Sequence, residues 1–197
     1  LTKPFMWQRA LPPMSKPYKL GIIGHPLGHT LSPILHEFLL KAMGFDGEYN
    51  VYDIPPENLQ EQFEALKQNN IQGLNVTIPH KSKIIEHLDW TDTGVGAINT
   101  ITIDESRQCH GYNTDILGFE NSLNNNLKTQ LTSGKATIIG SGGSSIAILK
   151  ALCNINPQSI ALIARKYNDE NIKNTESERL NHLYRTKIAC HPWGDIS

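Results

Sequence analysis

The chain has 197 residues, 39% of them hydrophobic, with 18 Lys plus Arg against 19 Asp plus Glu, for a formal charge of −1. That length is enough for one large or two small domains with a buried core. The near-neutral balance lacks the basic footprint of a nucleic-acid binder, and no apolar run approaches the ~18–20 residues that span a bilayer.

Residues 1–17 are Pro-rich, lack periodicity and read as an N-terminal arm rather than a signal peptide. The chain begins with Leu, so residues are expected to be missing in front. Three separated cysteines, Cys109, Cys153 and Cys190, have no CxxC spacing, which argues against a disulfide framework and a zinc site and fits a reducing, cytoplasmic setting.

From Tyr18 on, short apolar strands alternate with amphipathic helices. Lys19–Gly24 reads as a buried strand ending in a turn. Ser32-Pro33 opens a helix, with Ser at the N-cap and Pro at the first helical position, and Gly44 stops it. Tyr49–Ile54 reads as a strand broken by Pro55-Pro56, and Leu59, Phe63 and Leu66 form the stripe of a second helix. Gly73–Thr77 is a short strand ended by Pro79. A helix is expected over about 81–88, a strand over Ala97–Ile103, a polar hairpin-like stretch over Asp104–Gln108, and a helix from Asp115 to about Leu127. The Asn- and Ser-rich stretch 121–134 reads as a hinge or linker.

A second run follows, with a strand at Ala136–Ile139, a glycine turn at Gly140–Gly143, a helix at Ser144–Cys153 and a strand at Ser159–Ala164. Residues 168–178 read as weakly structured, with a short helix near 178–183 and a third strand at Thr186–Cys190. This alternation predicts an α/β fold with a mostly parallel sheet in an N-terminal domain (18–120), followed by a partial Rossmann-like domain (121–197).

The turn Gly140-Ser141-Gly142-Gly143 stands where a Rossmann unit lays a pyrophosphate on a helix N-terminus, with Ser145 at the third glycine position. Arg165 follows the next strand, where a basic residue accommodates the 2′-phosphate of NADP. A plain glycine-rich turn with a solvated arginine is the other reading of the same residues.

Three polar segments sit at strand ends, where open α/β sheets border their ligand crevice. They are Gly24–Pro33, Asn75–Lys81, and Gly96–Thr100 with Gly111–Gly118. Together they offer the hydroxyls of Thr30, Ser32 and Thr77, the amides of Asn75 and Asn99, the Lys81 ammonium and the Asp115 carboxylate. That set suits a small polyhydroxylated acid, and a Lys–Asp pair can relay a proton to or from a carbinol oxygen. Singly, each has a structural alternative: Ser32 and Asp115 as helix caps, Asn75 and Asn99 as satisfiers of strand-end backbone, Thr77 as a strand residue, Lys81 as a solvated lysine. His25, His29 and His36 lack the carboxylate or Cys partners of a metal set, so structural roles are expected for them.

Gly24–Pro33 with Leu35-His36, Asn75–Lys81, Gly96–Thr100, Asn113–Asp115 with Gly118, and Gly140–Gly143 together resemble the shikimate dehydrogenase family over roughly residues 18–166. The resemblance implies two α/β domains and reversible reduction of 3-dehydroshikimate to shikimate with NADP on the way to chorismate and the aromatic amino acids. It implies Lys81 and Asp115 as the catalytic pair, and Thr30 and Ser32 at the substrate carboxylate. Asn75, Thr77 and Asn99 then surround the ring hydroxyls, and Gly140, Ser141, Gly142, Gly143 and Arg165 hold NADP. Partners are expected to be small molecules, without nucleic acid or membrane, in a monomer or homodimer. Thr30 stands where the family usually has Ser, and Ala164 where it usually has Asn. From Ala136 only three strands fit, about half of the six-strand unit, so the C-terminal part of the family pattern is missing. Quinate as substrate, NAD as cofactor, and a non-catalytic shikimate-binding fragment remain the alternatives.

Overall fold

The computed structural model describes residues 17–92 and 96–195. The arm expected over 1–17 lies outside them except for Pro17. The chain divides into two compact units: one takes the residues up to His80 with Ile101–Cys109, the other Lys81–Thr100 and the residues from His110 on. One sheet runs, in spatial order, through the strands at 47–53, 18–24, 73–76, 100–103, 109–112 and 90–91, and the other through those at 135–139, 159–163 and 188–191.

In the first unit β1 (Tyr18–Gly24) is flanked by parallel β2 (Gly47–Asp53) and parallel β3 (Gly73–Val76). Being central, β1 buries its whole second half. A Cβ on Gly24 would clash with the Thr77 methyl, so glycine is what lets β1 end against the segment that follows β3. Helix α1 (Ser32–Ala42) starts one residue earlier than the sequence suggests: Leu31 is the N-cap and Ser32 the first helical residue. The Ser32 hydroxyl makes no capping bond. The helix stops as expected at Gly44, which adopts φ +74°. In α2 (Leu59–Gln68) the predicted stripe holds, with Leu59, Phe63 and Leu66 buried.

Between these elements and the second sheet the structure departs from several expectations. Residues 83–87 form a 3-10 turn (Lys83–His87), not an α-helix, because the chain turns directly into the short strand β4 (Trp90–Thr91). The strand expected from Ala97 begins only at Thr100 (β5, Thr100–Ile103). The backbone ahead of it is bonded elsewhere: Asn113 Nδ2 donates to Ala97 O, Ile98 N to Lys81 O, and Asn99 N to Tyr112 O. Cys109–Tyr112 forms a strand, β6, parallel to β4, which the sequence did not announce.

The single helix expected after Asp115 is two, α3 (Thr114–Ser122) and α4 (Asn125–Ser133), so the expected linker is largely helical. Asn124, extended at ψ 167°, starts the second helix by accepting from Leu127 N at 2.9 Å.

The second sheet is built by β7 (Lys135–Ile139), α5 (Gly143–Ile155), β8 (Ser159–Ile163), α6 (Glu170–Leu183) and β9 (Ile188–His191), with all strands parallel. The order β7-β8-β9 with a helical crossover at each step is one half of a doubly wound sheet. Its core joins Ile138, Leu149, Leu152, Ile160, Leu162, Leu180 and Ile188. The weakly structured stretch expected at 168–178 is instead the first half of α6. Its polar sequence is carried by an Asp169 cap that accepts from Asn171 N and Ile172 N, and by the i,i+3 pairs Glu170–Lys173 and Glu176–Arg179. Asn181 ties the helix to β9, donating to Ile188 O at 2.6 Å and accepting from Ile188 N at 2.9 Å.

Candidate functional site

In the second unit Lys81 Nζ lies 2.7 Å from Asp115 Oδ2. The lysine side chain is 13% exposed and the aspartate 36%, so the pair opens to ligand on the carboxylate side while the ammonium stem is packed. Asp115 sits in the first turn of α3, where unpaired N–H groups favour a carboxylate. It is not the cap: Asn113 is, accepting from Asp115 N at 3.1 Å.

Asn99 holds the other carboxylate oxygen. Its Nδ2 donates to Asp115 Oδ1 at 2.7 Å and to Thr114 Oγ1 at 3.0 Å. Its Oδ1 accepts from Thr114 N at 2.9 Å and from the Thr100 hydroxyl at 3.0 Å. Both amide N–H groups are thus committed to orienting Asp115 and the start of α3.

The glycine turn belongs to the same unit. Gly140 takes φ +113°, which an L side chain rarely adopts, and a Cβ on Gly142 would meet open space. A Cβ on Gly143 would approach Lys81 Cδ to 3.0 Å, so the turn that opens α5 packs on the lysine stem. Ser141 lies in that turn, and Arg165, exposed, opens the 3-10 turn (Arg165–Asn168) that follows β8. The α5 N-terminus is therefore free to receive an anion, with a guanidinium at the end of the next strand.

In the first unit Thr30 Oγ1 donates to Ser32 Oγ at 3.1 Å. Tyr49 Oη donates to Asn75 Oδ1 at 2.6 Å, and the His36 ring stacks flat on Tyr49 with centroids 4.3 Å apart. Burial pushes the Tyr49 phenol up to about 12, opposed by the Ser32 hydroxyl, and burial also lowers His36, which is neutral at pH 7. Thr77 follows β3, its N–H bonded to Ile23 O and its methyl against Gly24. The sequence pointed to neither Tyr49 nor the role of His36. A β-strand tyrosine reads as an ordinary strand former, and its partner is 26 positions away.

Asp53, at the end of β2, clamps the loop that carries Thr30. Its Oδ2 accepts from Leu27 N at 3.0 Å and its Oδ1 from His25 Nδ1 at 2.7 Å. The Leu27 N–H first, then His25, hold its carboxyl below the ordinary carboxylate range. A depressed folded value means that the clamp stabilises above the unfolded value near pH ~4 and is lost as pH falls through the folded one. The acid-side slope of stability between about pH 2 and 5 is expected to flatten in Asp53→Asn, measured by thermal unfolding beside the parent; an unchanged slope refutes the clamp.

A mostly parallel sheet followed by a lysine–aspartate pair, joined in one chain to a βαβαβ half with a glycine turn, defines a two-unit α/β protein of Rossmann-like type. Residues 22–101 match the shikimate dehydrogenase substrate binding domain, and the chain is similar in sequence to shikimate dehydrogenases. It is 40% identical over 151 residues to the shikimate dehydrogenase (NADP(+)) of Caldanaerobacter subterraneus subsp. tengcongensis, covering 75% of this chain and 53% of that protein. The structure of the Listeria monocytogenes shikimate 5-dehydrogenase in complex with shikimate and NAD superposes with TM-score 0.76 at 27% identity, covering 92% of this chain and 63% of that one. A 5-ketofructose reductase of Gluconobacter sp. superposes with TM-score 0.73 at 25% identity, over 91% and 64% of the two chains. The chain spans about half the length of the curated relatives it matches. Among the described residues no helix is long and apolar enough to cross a membrane.

Proposed function

We propose that the protein is an NADP-dependent shikimate dehydrogenase, interconverting 3-dehydroshikimate and shikimate in the cytoplasm on the path to chorismate. The observation that carries this reading is the Lys81–Asp115 pair at 2.7 Å, with Asn99 fixing the second carboxylate oxygen. In the reductive direction the Lys81 ammonium donates a proton to the oxygen of the carbonyl being reduced. The Asp115 carboxylate pairs with and orients the ammonium, and the amine left after transfer takes a proton back from solvent. In the oxidative direction the same amine takes the hydroxyl proton. Held in place before reaction, the ammonium also offsets negative charge developing on that oxygen.

In this reading residues 18–120 bind the substrate: the hydroxyls of Thr30 and Ser32 meet its carboxylate, Asn75 and Thr77 meet its ring hydroxyls, and Asn99, whose amide is spent on Asp115, Thr114 and Thr100, serves by orienting Asp115 rather than by meeting a ring hydroxyl itself. Residues 121–197 hold the cofactor. The α5 N-terminus behind Gly140, Ser141, Gly142 and Gly143 fits a pyrophosphate, because the turn carries no side chain larger than serine and no side chain among the described residues caps the helix. The exposed Arg165 guanidinium fits a ribose 2′-phosphate. When bound, the nicotinamide supplies or accepts the hydride.

The test is incubation of the protein with shikimate and NADP⁺, followed at the NADPH absorbance band, with quinate and NAD⁺ as comparators. NADPH formation with shikimate as the preferred substrate and NADP⁺ as the preferred cofactor is expected. Shikimate binding without turnover, or faster turnover with quinate or NAD⁺, overturns the assignment.

A further inference from the structure

Tyr49 is a buried polar residue of the first unit that the proposed chemistry leaves unused. It lies on β2, is 5% exposed and packs with Ile22 and Leu27. Four polar groups line up around it. Thr30 Oγ1 donates to Ser32 Oγ, the Ser32 hydroxyl lies against the phenol oxygen, and Tyr49 Oη donates to Asn75 Oδ1 at 2.6 Å. His36, stacked parallel to the ring within 1°, fixes the plane of the phenol. The line ends on the acceptor atom of Asn75.

A carboxamide has one acceptor oxygen and two N–H donors. Tyr49 takes the oxygen, and among the described residues no hydrogen bond is made by Asn75 Nδ2. A flip of the amide would turn its N–H toward the phenol and leave the Tyr49 O–H buried without an acceptor.

We infer that Tyr49 is a positioning residue that locks Asn75 as a donor, so that the ligand group meeting Asn75 is an oxygen acceptor and an amino group in its place is refused. This rests on the shikimate reading and specifies its polarity.

The test is calorimetry on the full chain with shikimate and with analogues carrying an amino group in place of each ring hydroxyl in turn. Tyr49→Phe keeps the ring, the stack on His36 and the packing, and removes only the hydroxyl. It is expected to weaken shikimate ~10-fold and to narrow the discrimination against the least favoured amino analogue. Combined with Asn75→Ala, it is expected to add less than about 2-fold, because the two residues act as one. Asn75→Asp keeps the acceptor for Tyr49 and removes the donors. It is expected to lose shikimate by at least ~10-fold and to gain affinity for that amino analogue, which no general loss of structure produces. Unchanged shikimate affinity in Tyr49→Phe, full additivity with Asn75→Ala, or no gain of the amino analogue in Asn75→Asp each overturns the inference. A parent chain that binds no shikimate at all overturns the substrate reading instead, and this inference with it.

Discussion

Lys81→Ala is expected to lower kcat by at least ~10²-fold while changing KM much less, measured as shikimate oxidation under saturating cofactor. The size follows from what the ammonium does in the proposed step: it carries the transferred proton and offsets charge that develops only as the reaction proceeds, so its loss falls on the transition state more than on binding. The geometry also says that the fold survives. The Lys81 backbone carbonyl still accepts from Ile98 N. Asp115 keeps its bond from Asn99 Nδ2 and its place in the first turn of α3, so the carboxylate is not orphaned. The stem that leaves had packed on Gly143, a glycine with no side chain to collapse into the gap. A melting temperature within a few degrees of the parent, with a slow enzyme, is therefore the expected pattern. Lys81→Arg separates charge from proton transfer: a guanidinium keeps the pairing with Asp115 but does not give up its proton near neutral pH, so it is expected to remain slow. Near-normal turnover in either variant removes Lys81 from the mechanism.

The residues easiest to read from the sequence were those whose chemistry is rare at their position. A lysine two residues after Pro79 and a lone aspartate at the head of a helix stand out among strand-end segments, and a glycine turn between an apolar strand and a helix has few structural uses. Their meeting at 2.7 Å depends on the segment between Asn99 and Asp115, where β6 was invisible. Cys-His-Gly-Tyr offers no apolar alternation, and its strand is defined by pairing between β5 and the two residues of β4. Helix α6 was hidden for the opposite reason. Its residues are polar almost throughout, and it is held by a cap, by i,i+3 ion pairs and by a single buried leucine, none of which produces a hydrophobic stripe. Asn124 shows how composition misleads: an Asn-rich stretch reads as a linker, yet asparagine is also a favoured N-cap, and here it starts a helix. Tyr49 and Asn99 were the least legible. A tyrosine that orients an amide 26 residues away, and an amide whose donors are spent on its neighbours, are properties of tertiary contact rather than of spacing.

Asn99→Asp is expected to abolish turnover at neutral pH and to make stability newly dependent on pH. The substitution changes almost no volume. The incoming carboxylate can still accept from Thr114 N and from the Thr100 hydroxyl, as the amide oxygen does now. What changes is the other half: the nitrogen that donates to Asp115 Oδ1 at 2.7 Å becomes a second carboxylate oxygen at that distance. Two carboxylates so close cannot both ionise cheaply, and one of the pair is driven to hold a proton well above the ordinary carboxylate range. The position is only 9% exposed, which limits screening on that side, whereas Asp115 is partly open to water and softens the effect. A folded value raised above the unfolded one near ~4 means that the variant is close to the parent at low pH and loses stability as pH rises through the raised value. A rise of one to two pH units corresponds to about 1–3 kcal/mol at neutral pH, read as the difference between variant and parent in denaturant unfolding at pH 4 and pH 7.5. Asn99→Ala is the control: it removes the same donor and adds no charge, so its stability loss relative to the parent should be the same at both pH values. Turnover responds for a related reason. A carboxylate pair that shares a proton competes with Lys81 for Asp115 and leaves the amine without a fixed partner, so kcat at pH 7.5 is expected to fall at least ~10²-fold in Asn99→Asp and by less in Asn99→Ala. A pH-independent loss in Asn99→Asp equal to that of Asn99→Ala would show that Asn99 serves α3 alone and not the ionisation of Asp115.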